Sequence, residues 1–146
     1  VKELGAHLCG RRLYETMLVW ETDPSLRTTE AFTEFAEVWT ALPKVVFSRT
    51  LTSVHGNARL ATGSVADEVA AARAATDRDI EIGGAGLAAQ AIELGLIDDF
   101  RVFRNPIIVG GGIPFLPPVA ATLSLELLET RLFAPHVVYE RYRLNA

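Results

Sequence analysis

Between residues 30 and 42, apolar side chains recur every three or four positions, which is the spacing of one face of a helix. The residues of this stripe are Phe32, Phe35, Trp39 and Leu42. Pro43 cannot donate the next helical hydrogen bond, so we expect the helix to end before it. A second helix is predicted after Ser64, which Asp67 follows three residues later in a capping pattern. A third is predicted over GLAAQAIELG, whose last residue, Gly95, suits the position after a helix end.

Short runs rich in β-branched and aromatic residues alternate with these helices and predict strands. The runs are AHLCG, KVVFS, NARLA, DIEIG, DDFRVFRNP and IIV. Near the end of the chain, LSLELLETRLF and VVYERYRL predict two long strands joined by a tight turn at APH, with a bulge near Leu127–Leu128 where the alternation slips. Strands that alternate with helices indicate an α/β fold with a mainly parallel sheet and helices on both faces. The terminal hairpin adds antiparallel strands.

Composition narrows the class of protein. The chain has 146 residues, which predicts a single domain over 1–146. Its net charge of −4 argues against a nucleic-acid-binding protein, which would carry a basic excess. No apolar run approaches the roughly 20 residues that span a bilayer, and the start does not resemble a signal segment. The one cysteine, Cys9, is predicted to be buried, and the three histidines lack ligand spacing. We therefore predict no metal and a reduced, cytoplasmic compartment.

The segment IEIGGAG runs from a predicted strand into a glycine cluster. Gly84, Gly86 and Ala89 match the relaxed dinucleotide fingerprint G-x-G-x-x-A, in which glycine lets the backbone approach a phosphate. A Rossmann site also needs an acidic residue at the end of the next strand, but Asp98 and Asp99 stand at its beginning. This motif alone leaves two interpretations open, a tight structural turn and a phosphate-binding turn.

Three further strand ends carry small, hydroxyl or cationic residues. They are Gly10, Arg11 and Arg12; Ser48, Arg49 and Thr50; and Gly110, Gly111 and Gly112. Hydroxyl groups with a guanidinium suit a phosphate monoester, and the proline-stiffened loop GGGIPFLPP offers apolar tips to an organic ligand. Ligands of open parallel sheets bind beyond the carboxyl ends of the strands. Four such ends in one acidic chain favour a shared crevice for a phosphate-bearing ligand.

The segments CGRRLYE, PKVVFSRTL, IGGAGLAAQAIELGLIDDF and NPIIVGGGIPFL closely resemble, in order and spacing, the dihydrofolate-reductase-like family. Within it they resemble the riboflavin-biosynthesis reductase branch, the C-terminal domain of bacterial bifunctional deaminase–reductases. The likeness extends over nearly the whole chain. It implies a dihydrofolate-reductase-like three-layer fold, with a mixed, mostly parallel sheet flanked by helices and a C-terminal antiparallel hairpin. It also implies NADPH as the hydride donor.

The resemblance further implies which positions contact the cofactor. The stretch near the cofactor phosphates corresponds to Gly10, Arg11 and Arg12. The turn that meets the adenosine 2′-phosphate corresponds to Ser48, Arg49 and Thr50. The pyrophosphate turn corresponds to Gly83, Gly84, Ala85, Gly86 and Leu87. The loop near the nicotinamide corresponds to Gly110, Gly111 and Gly112.

The chain departs from the family pattern at two places. Leu13 stands where the family commonly has Thr after GRR, which removes one hydroxyl contact with phosphate. The family's first strand, whose SLDG-like stretch brings an acidic residue to the reacting centre, has no counterpart here. We therefore expect that an upstream segment is absent from this chain, and we assign no catalytic residue. Glu15 and Asp23 are candidate proton donors, with surface carboxylates as the alternative.

The predicted activity is NADPH-dependent reduction of a small heterocyclic substrate, most like that of the 5-amino-6-(5-phosphoribosylamino)uracil reductase of riboflavin biosynthesis. The candidate walls of the substrate pocket, for which core packing is the alternative, are Met17, Trp20 and Phe115. A phosphorylated substrate would need further cations, and the candidates are Arg101, Arg104 and Lys44.

Other functions stay open at this point. The zinc-deaminase motifs HAE and PCxxC do not occur, so a deaminase is not encoded here. The alternatives are a dihydrofolate-type or other small-molecule reductase, and a non-catalytic NADPH-binding or dimerisation module. We expect a homodimer with neither nucleic acid nor membrane as a partner.

Overall fold

The computed structural model describes residues 1–133 and 136–145. Its elements follow the predicted alternation of strands and helices. In chain order they are β1 (Leu4–Gly10), α1 (Arg11–Met17), α2 (Val19–Thr22), a 3-10 helix (Pro24–Leu26), α3 (Glu30–Ala41), β2 (Lys44–Phe47), β3 (Ala58–Leu60), α4 (Val65–Ala75), β4 (Asp79–Gly83), α5 (Ala85–Glu93), β5 (Asp99–Arg104), β6 (Leu125–Phe133) and β7 (Val137–Leu144). Across the described residues, no helix is both long enough and apolar enough to cross a membrane.

The chain divides into two compact units, Val1–Gln90 and Ala91–Ala146, with the boundary inside α5. The first unit contains a four-stranded parallel sheet in the order β3-β2-β1-β4. Its central strand β1 is buried continuously from Ala6 to Cys9, which is typical of a parallel strand covered on both faces. This unit supplies the mostly parallel sheet of the predicted α/β fold.

The predicted helices of the first unit are confirmed. Ser64 and Asp67 form a reciprocal capping box at the start of α4, in which Ser64 Oγ accepts from the Asp67 N–H at 3.2 Å. In the apolar stripe of α3, Trp39 and Leu42 enter the core. Phe32, at the other end of the same stripe, is 47% exposed and contributes little to that core.

The second unit contains a three-stranded antiparallel sheet in the order β5-β7-β6. The predicted terminal hairpin is its β6–β7 pair, and the register shifts between Leu127 and Glu129, which confirms the predicted bulge. Ala134 and Pro135, two residues of the predicted turn, lie outside the described residues. Gly95 follows α5 with φ of +66°, as predicted for a residue after a helix end.

One predicted strand is wrong. Ile107, Ile108 and Val109 form no strand, and their side chains are 73%, 98% and 82% exposed. A β-branched run becomes a strand where a neighbouring strand accepts its hydrogen bonds and covers its side chains. None of the described strands pairs with this run. Composition alone therefore predicted a strand where none forms.

Candidate functional site

Three of the four strand ends that the sequence singles out meet at one edge of the parallel sheet. β1 lies between β2 and β4, with Gly10 paired to Phe47 and Cys9 paired to Gly83. Because the strands are parallel, the residues that follow them leave the sheet at the same edge. The neighbouring segments begin at Arg11, Ser48 and Gly84.

A side-chain hydrogen bond joins the segment after β1 to the segment after β2. Arg11 Nη1 donates to Thr50 Oγ1 at 3.2 Å, and Arg11 Nε lies 3.8 Å from Glu15 Oε1 one turn along α1. Ser48 Oγ accepts from the N–H groups of Thr50 and Leu51 at 3.2 and 3.0 Å. These bonds bring two hydroxyl groups beside a guanidinium, a combination that suits a phosphate monoester.

Two more guanidinium groups belong to the same two segments. Arg12 follows Arg11 at the start of α1, and Arg49 lies between Ser48 and Thr50. Both arginines are exposed, so their charges face solvent. Three arginines thus gather at one edge of the sheet in a chain whose net charge is −4.

The glycine turn after β4 passes close to the end of β1. Gly84 has φ of +93°, a conformation that side chains rarely adopt, and a β-carbon there would lie 3.9 Å from the backbone nitrogen of Gly10. α5 begins at Ala85, and Gly84 O accepts from the N–H groups of Leu87 and Ala88. The first N–H groups of a helix have no partner inside the helix, so they are available to an anion. The turn therefore has the backbone geometry that a close phosphate approach requires.

Gly83, the last residue of β4, is constrained by side-chain packing. A β-carbon there would collide with Leu13 Cδ2 and lie 3.1 Å from His7 Cε1. Leu13 is the residue that stands where the resemblance expects Thr. The buried cluster against which Leu13 packs consists of Cys9, Tyr14 and Val46. The departure from the family pattern therefore replaces a polar group with core packing.

Lys44 is not available to a substrate phosphate, contrary to the prediction. Its Nζ lies 3.0 Å from Glu21 Oε1, and the two side chains are only 1% and 2% exposed. The same ammonium donates to the carbonyl oxygens of Trp39 and Leu42. A buried lysine needs such partners, because an unpaired ammonium in the interior is strongly destabilising. Lys44 and Glu21 therefore form a structural pair.

The β2–β3 loop (residues 48–57) is also attached near its far end. Tyr14 Oη accepts a hydrogen bond from the His55 N–H at 2.7 Å. Gly56 has φ of +67°, and a β-carbon there would overlap the Glu21 carboxylate. Glycine is thus required for two reasons, the backbone conformation and the space that the buried pair occupies.

The turn from β3 into α4 is closed by Glu68, whose side chain is 4% exposed. Glu68 Oε1 accepts from the N–H groups of Thr62 and Gly63 at 2.7 and 3.1 Å, and Oε2 pairs with Arg59. The Arg59 guanidinium, together with the two N–H groups, lowers the pKa of Glu68 to about 2, although burial opposes this shift. This strand end is therefore occupied by the protein's own carboxylate.

The remaining predicted cofactor residues lie in the second unit. Gly110 and Gly112 have φ of +79° and +116°, which favours glycine at both positions, and a β-carbon at Gly111 would meet no atom within 4 Å. Phe115 belongs to the same segment and is 58% exposed. Arg104 Nη2 pairs with Glu140 Oε2 at 2.8 Å.

Met17 and Trp20, two predicted substrate walls, pack against the same buried cluster in the first unit. The buried cluster that they cover consists of Leu4, Trp39 and Leu42. The ring centroids of Trp20 and Phe35 lie 4.8 Å apart in an edge-to-face arrangement. Core packing accounts for these contacts.

The shifted pKa values of two side chains, Cys9 and Asp23, disfavour nucleophilic attack by the first and proton donation by the second. Burial raises the pKa of the Cys9 thiol to about 11, so this cysteine is not a nucleophile at neutral pH. Hydrogen bonding by Ser25 holds the pKa of Asp23 below its usual range, which disfavours Asp23 as a proton donor. Glu15 lies beside Arg11. In the part of the chain that the structure describes, no three His, Cys, Asp or Glu side chains are grouped so that they could hold a metal ion.

Two solved structures share the fold. A protein of Shewanella sp. PV-4 named for riboflavin biosynthesis matches with a TM-score of 0.78 at 20% identity, over 99% of this chain and 76% of its own. A pyrimidine reductase-like protein of Corynebacterium diphtheriae matches with a TM-score of 0.62 at 13% identity, over 98% and 77% of the two chains. These matches confirm the α/β class, a mostly parallel sheet with flanking helices and an antiparallel hairpin.

The sequence identifies the family. Residues 1–139 match the model of the RibD C-terminal domain, and the chain therefore belongs to the RibD C-terminal domain family. The curated relative YyaP of Bacillus subtilis (strain 168), which is named as an uncharacterised protein, is 34% identical over 103 residues. The match covers 70% of this chain and 55% of the relative, so the chain spans about half the length of YyaP. The resemblance to the riboflavin-biosynthesis branch is confirmed.

Sequence reasoning missed the polar contacts that hold the site together. His7 Nδ1 lies 2.9 Å from Glu81 Oε2, and His7 is the direct cross-strand neighbour of both Glu81 and Lys44. Aligning the three predicted strands would have found this row. Glu21 and Tyr14 have no comparable signal, because their partners, Lys44 in β2 and His55 in the β2–β3 loop, are distant in sequence.

Proposed function

We propose that this chain is the cofactor-binding domain of an NADPH-dependent reductase of a small heterocyclic substrate, most like 5-amino-6-(5-phosphoribosylamino)uracil reductase. The observation that carries the proposal is the contact between two strand ends, in which Arg11 Nη1 donates to Thr50 Oγ1 at 3.2 Å. This hydrogen bond brings guanidinium and hydroxyl groups together at the positions that the family resemblance assigns to the phosphates of the cofactor. The proposal treats residues 1–146 as one domain, as the family resemblance implies.

The residues at the edge of the parallel sheet fit NADPH. Arg49, with the hydroxyls of Ser48 and Thr50, would hold the 2′-phosphate, and the Gly84 turn with the start of α5 would hold the pyrophosphate. Arg12 adds a second exposed guanidinium at the start of α1. When bound, NADPH supplies the hydride, and the protein supplies orientation and charge.

The first test measures cofactor binding and its dependence on the 2′-phosphate. We expect the purified protein to bind NADPH in a fluorescence titration. We expect Arg49→Ala to lower the affinity for NADPH by roughly 10- to 100-fold, which is the effect of losing a charged hydrogen bond. NADH, which lacks the 2′-phosphate, should be affected far less. Arg27→Ala is the matched control, because Arg27 is also exposed and lies outside the proposed site. Equal losses for both cofactors would contradict the role of Arg49.

The second test separates an enzyme from a binding module. NADPH oxidation is followed by absorbance in the presence of pyrimidines, pterins and quinones. Oxidation with a ribosylamino-pyrimidine substrate is the expected result, and preference for a pterin would indicate a dihydrofolate-type activity instead. Binding of NADPH without oxidation across the panel would favour a non-catalytic module. Absence of NADPH binding would contradict both.

Assembly as a homodimer is part of the proposal. Phe103, Phe133 and Tyr139 form contiguous ring contacts in the second unit, and Phe103 and Phe133 are 60% and 44% exposed. Contiguous exposed apolar side chains are common at protein interfaces. Light scattering coupled to size exclusion would report the mass in solution, and a monomer at micromolar concentration would contradict this part of the proposal.

A further inference from the structure

Tyr14 connects two parts of the proposed cofactor site. It lies on α1 three residues after Arg11 and is 5% exposed. Its ring belongs to a buried cluster with Cys9 and Val46, and its Oη accepts the hydrogen bond from the His55 N–H. α1 is therefore attached to the β2–β3 loop at two points, through Arg11 near the beginning of the loop and through Tyr14 near its end.

The contacts between these two points are continuous. Leu51 and Val54 pack against the buried cluster that contains Tyr14. The Leu51 N–H also donates to Ser48 Oγ at 3.0 Å, so the apolar part of the loop is bonded directly to the hydroxyl end. Without the Tyr14 hydroxyl, the His55 N–H would lose its acceptor within the protein, which disfavours the observed loop conformation.

We infer that Tyr14 is a positioning residue that holds the Ser48–Thr50 segment in the conformation that binds the 2′-phosphate of NADPH. This inference rests on the proposed function, because the segment needs that phosphate as its ligand. Tyr14 is buried in the apolar cluster and acts through His55 and the loop. Removal of its hydroxyl therefore lowers the affinity for NADPH, which carries the 2′-phosphate. The affinity for NADH, which lacks that phosphate, stays nearly unchanged.

The experiment compares Tyr14→Phe with the wild type in fluorescence titrations with NADPH and with NADH. The phenyl ring preserves the apolar contacts, so the circular dichroism spectrum should not change. We expect the affinity for NADPH to fall about five-fold, the factor that corresponds to one ordinary hydrogen bond, while the affinity for NADH hardly changes. Tyr142→Phe is the matched control, because it removes a phenol hydroxyl from β7 in the second unit and should bind both cofactors like the wild type.

Combining Tyr14→Phe with Arg49→Ala tests whether Tyr14 acts through the loop. If it does, the double variant binds NADPH little worse than Arg49→Ala alone, because the segment that Tyr14 positions has already lost its main contact. Additive losses would overturn the inference, as would equal losses of NADPH and NADH, or NADPH binding by Tyr14→Phe equal to that of the wild type. These results differ from a wild type that does not bind NADPH, which would overturn the proposed function and the inference with it.

Discussion

The strand-end segments of the first unit and the long segment between β5 and β6 in the second unit carry similar small residues, but they are held differently. Tyr14, Glu21 and Glu68 each contact a segment that follows a strand of the parallel sheet. In the second unit, residues 105–124 contain many exposed apolar side chains, with Ile108 at 98%. The glycine and hydroxyl content of a segment therefore does not indicate whether side chains from other elements contact it.

The two glycine clusters show the same difference. Gly84 and Gly112 both have positive φ, so glycine is favoured at each by the backbone. A β-carbon at Gly84 would lie 3.9 Å from Gly10, whereas one at Gly112 would meet no atom within 4 Å. The first turn therefore approaches another strand end. Backbone conformation can be inferred from composition, but proximity to other elements cannot.

The largest expected effect comes from breaking the buried pair beside the β2–β3 loop. Lys44→Met leaves the Glu21 carboxylate buried without its cation, and we expect the free energy of unfolding to fall by about 3–5 kcal/mol. Urea denaturation monitored by tryptophan fluorescence measures the change. Replacing both members, in Glu21→Leu with Lys44→Met, should restore most of the stability, because no charge is then left unpaired.

The exposed Lys2–Glu34 pair is the control for this prediction. Its side chains are 65% and 55% exposed, so Lys2→Met should change the free energy of unfolding by less than about 1 kcal/mol. A Lys44→Met variant as stable as Lys2→Met would mean that Lys44 is solvated in solution and that the loop is not anchored through Glu21.

The next effect concerns Glu68 and acid. Its pKa is lowered from 4.5 to about 2, so its stabilisation is fully present above about pH 5 and is lost as the pH falls toward 2. We expect Glu68→Gln to lower the free energy of unfolding at pH 7 by about 2 kcal/mol, after discounting for the exposed side of Arg59. The difference between wild type and variant should shrink as the pH falls from 5 to 2. Denaturation midpoints across this range measure it.

Glu34→Gln is the matched control for the acid experiment, because it removes an exposed carboxylate from the same unit. We expect this variant to follow the pH dependence of the wild type. A difference between wild type and Glu68→Gln that stays constant from pH 7 to pH 2 would contradict the lowered pKa of Glu68.

A smaller effect distinguishes the glycines of the Gly84 turn. Gly84→Ala forces a side chain into positive φ and should cost about 1–2 kcal/mol of unfolding free energy. It should also lower the affinities for NADPH and NADH to the same extent, because both cofactors carry the pyrophosphate. Gly86→Ala, inside α5 and with no atom near its β-carbon, should be neutral or slightly stabilising. Gly112→Ala should show the same backbone cost as Gly84→Ala. If Gly84→Ala binds NADPH more weakly but binds NADH like the wild type, the assignment of this turn to the pyrophosphate is contradicted.

Much of the fold could be predicted because its signals are local. The apolar stripe of α3, the Ser64–Asp67 capping box and the slip near Leu127 are each encoded within one element. The glycine, hydroxyl and arginine residues that follow three predicted strands then indicated the strand ends that meet at one edge of the sheet. Local pattern failed at the IIV run, where strand formation depends on a partner strand that the described residues do not provide.

The anchoring of the site could not be predicted, because it depends on burial and on distant partners. The sequence offers Lys44 as a candidate cation for a substrate phosphate, because lysine is rarely buried and nothing near it in sequence indicates its partner. Its partner Glu21 lies in α2, a short helix with no recognisable periodicity. Glu68 lies just after a predicted cap, but its role depends on the backbone of Thr62 and Gly63 and on Arg59 in β3. Such contacts follow from the three-dimensional path of the chain.

The smallest expected effect tests the exposed segment of the second unit. Ile108→Asn replaces a side chain that is 98% exposed, so the free energy of unfolding should stay within about 0.5 kcal/mol of the wild type. Val46→Ala, at a fully buried position of β2, should cost about 2 kcal/mol and calibrates the measurement. Both variants should be measured at two protein concentrations. A cost above about 1 kcal/mol for Ile108→Asn that grows with protein concentration would show that a second copy covers Ile108, because subunit association stabilises by mass action. The same cost at both concentrations would contradict the exposure of this side chain within one chain.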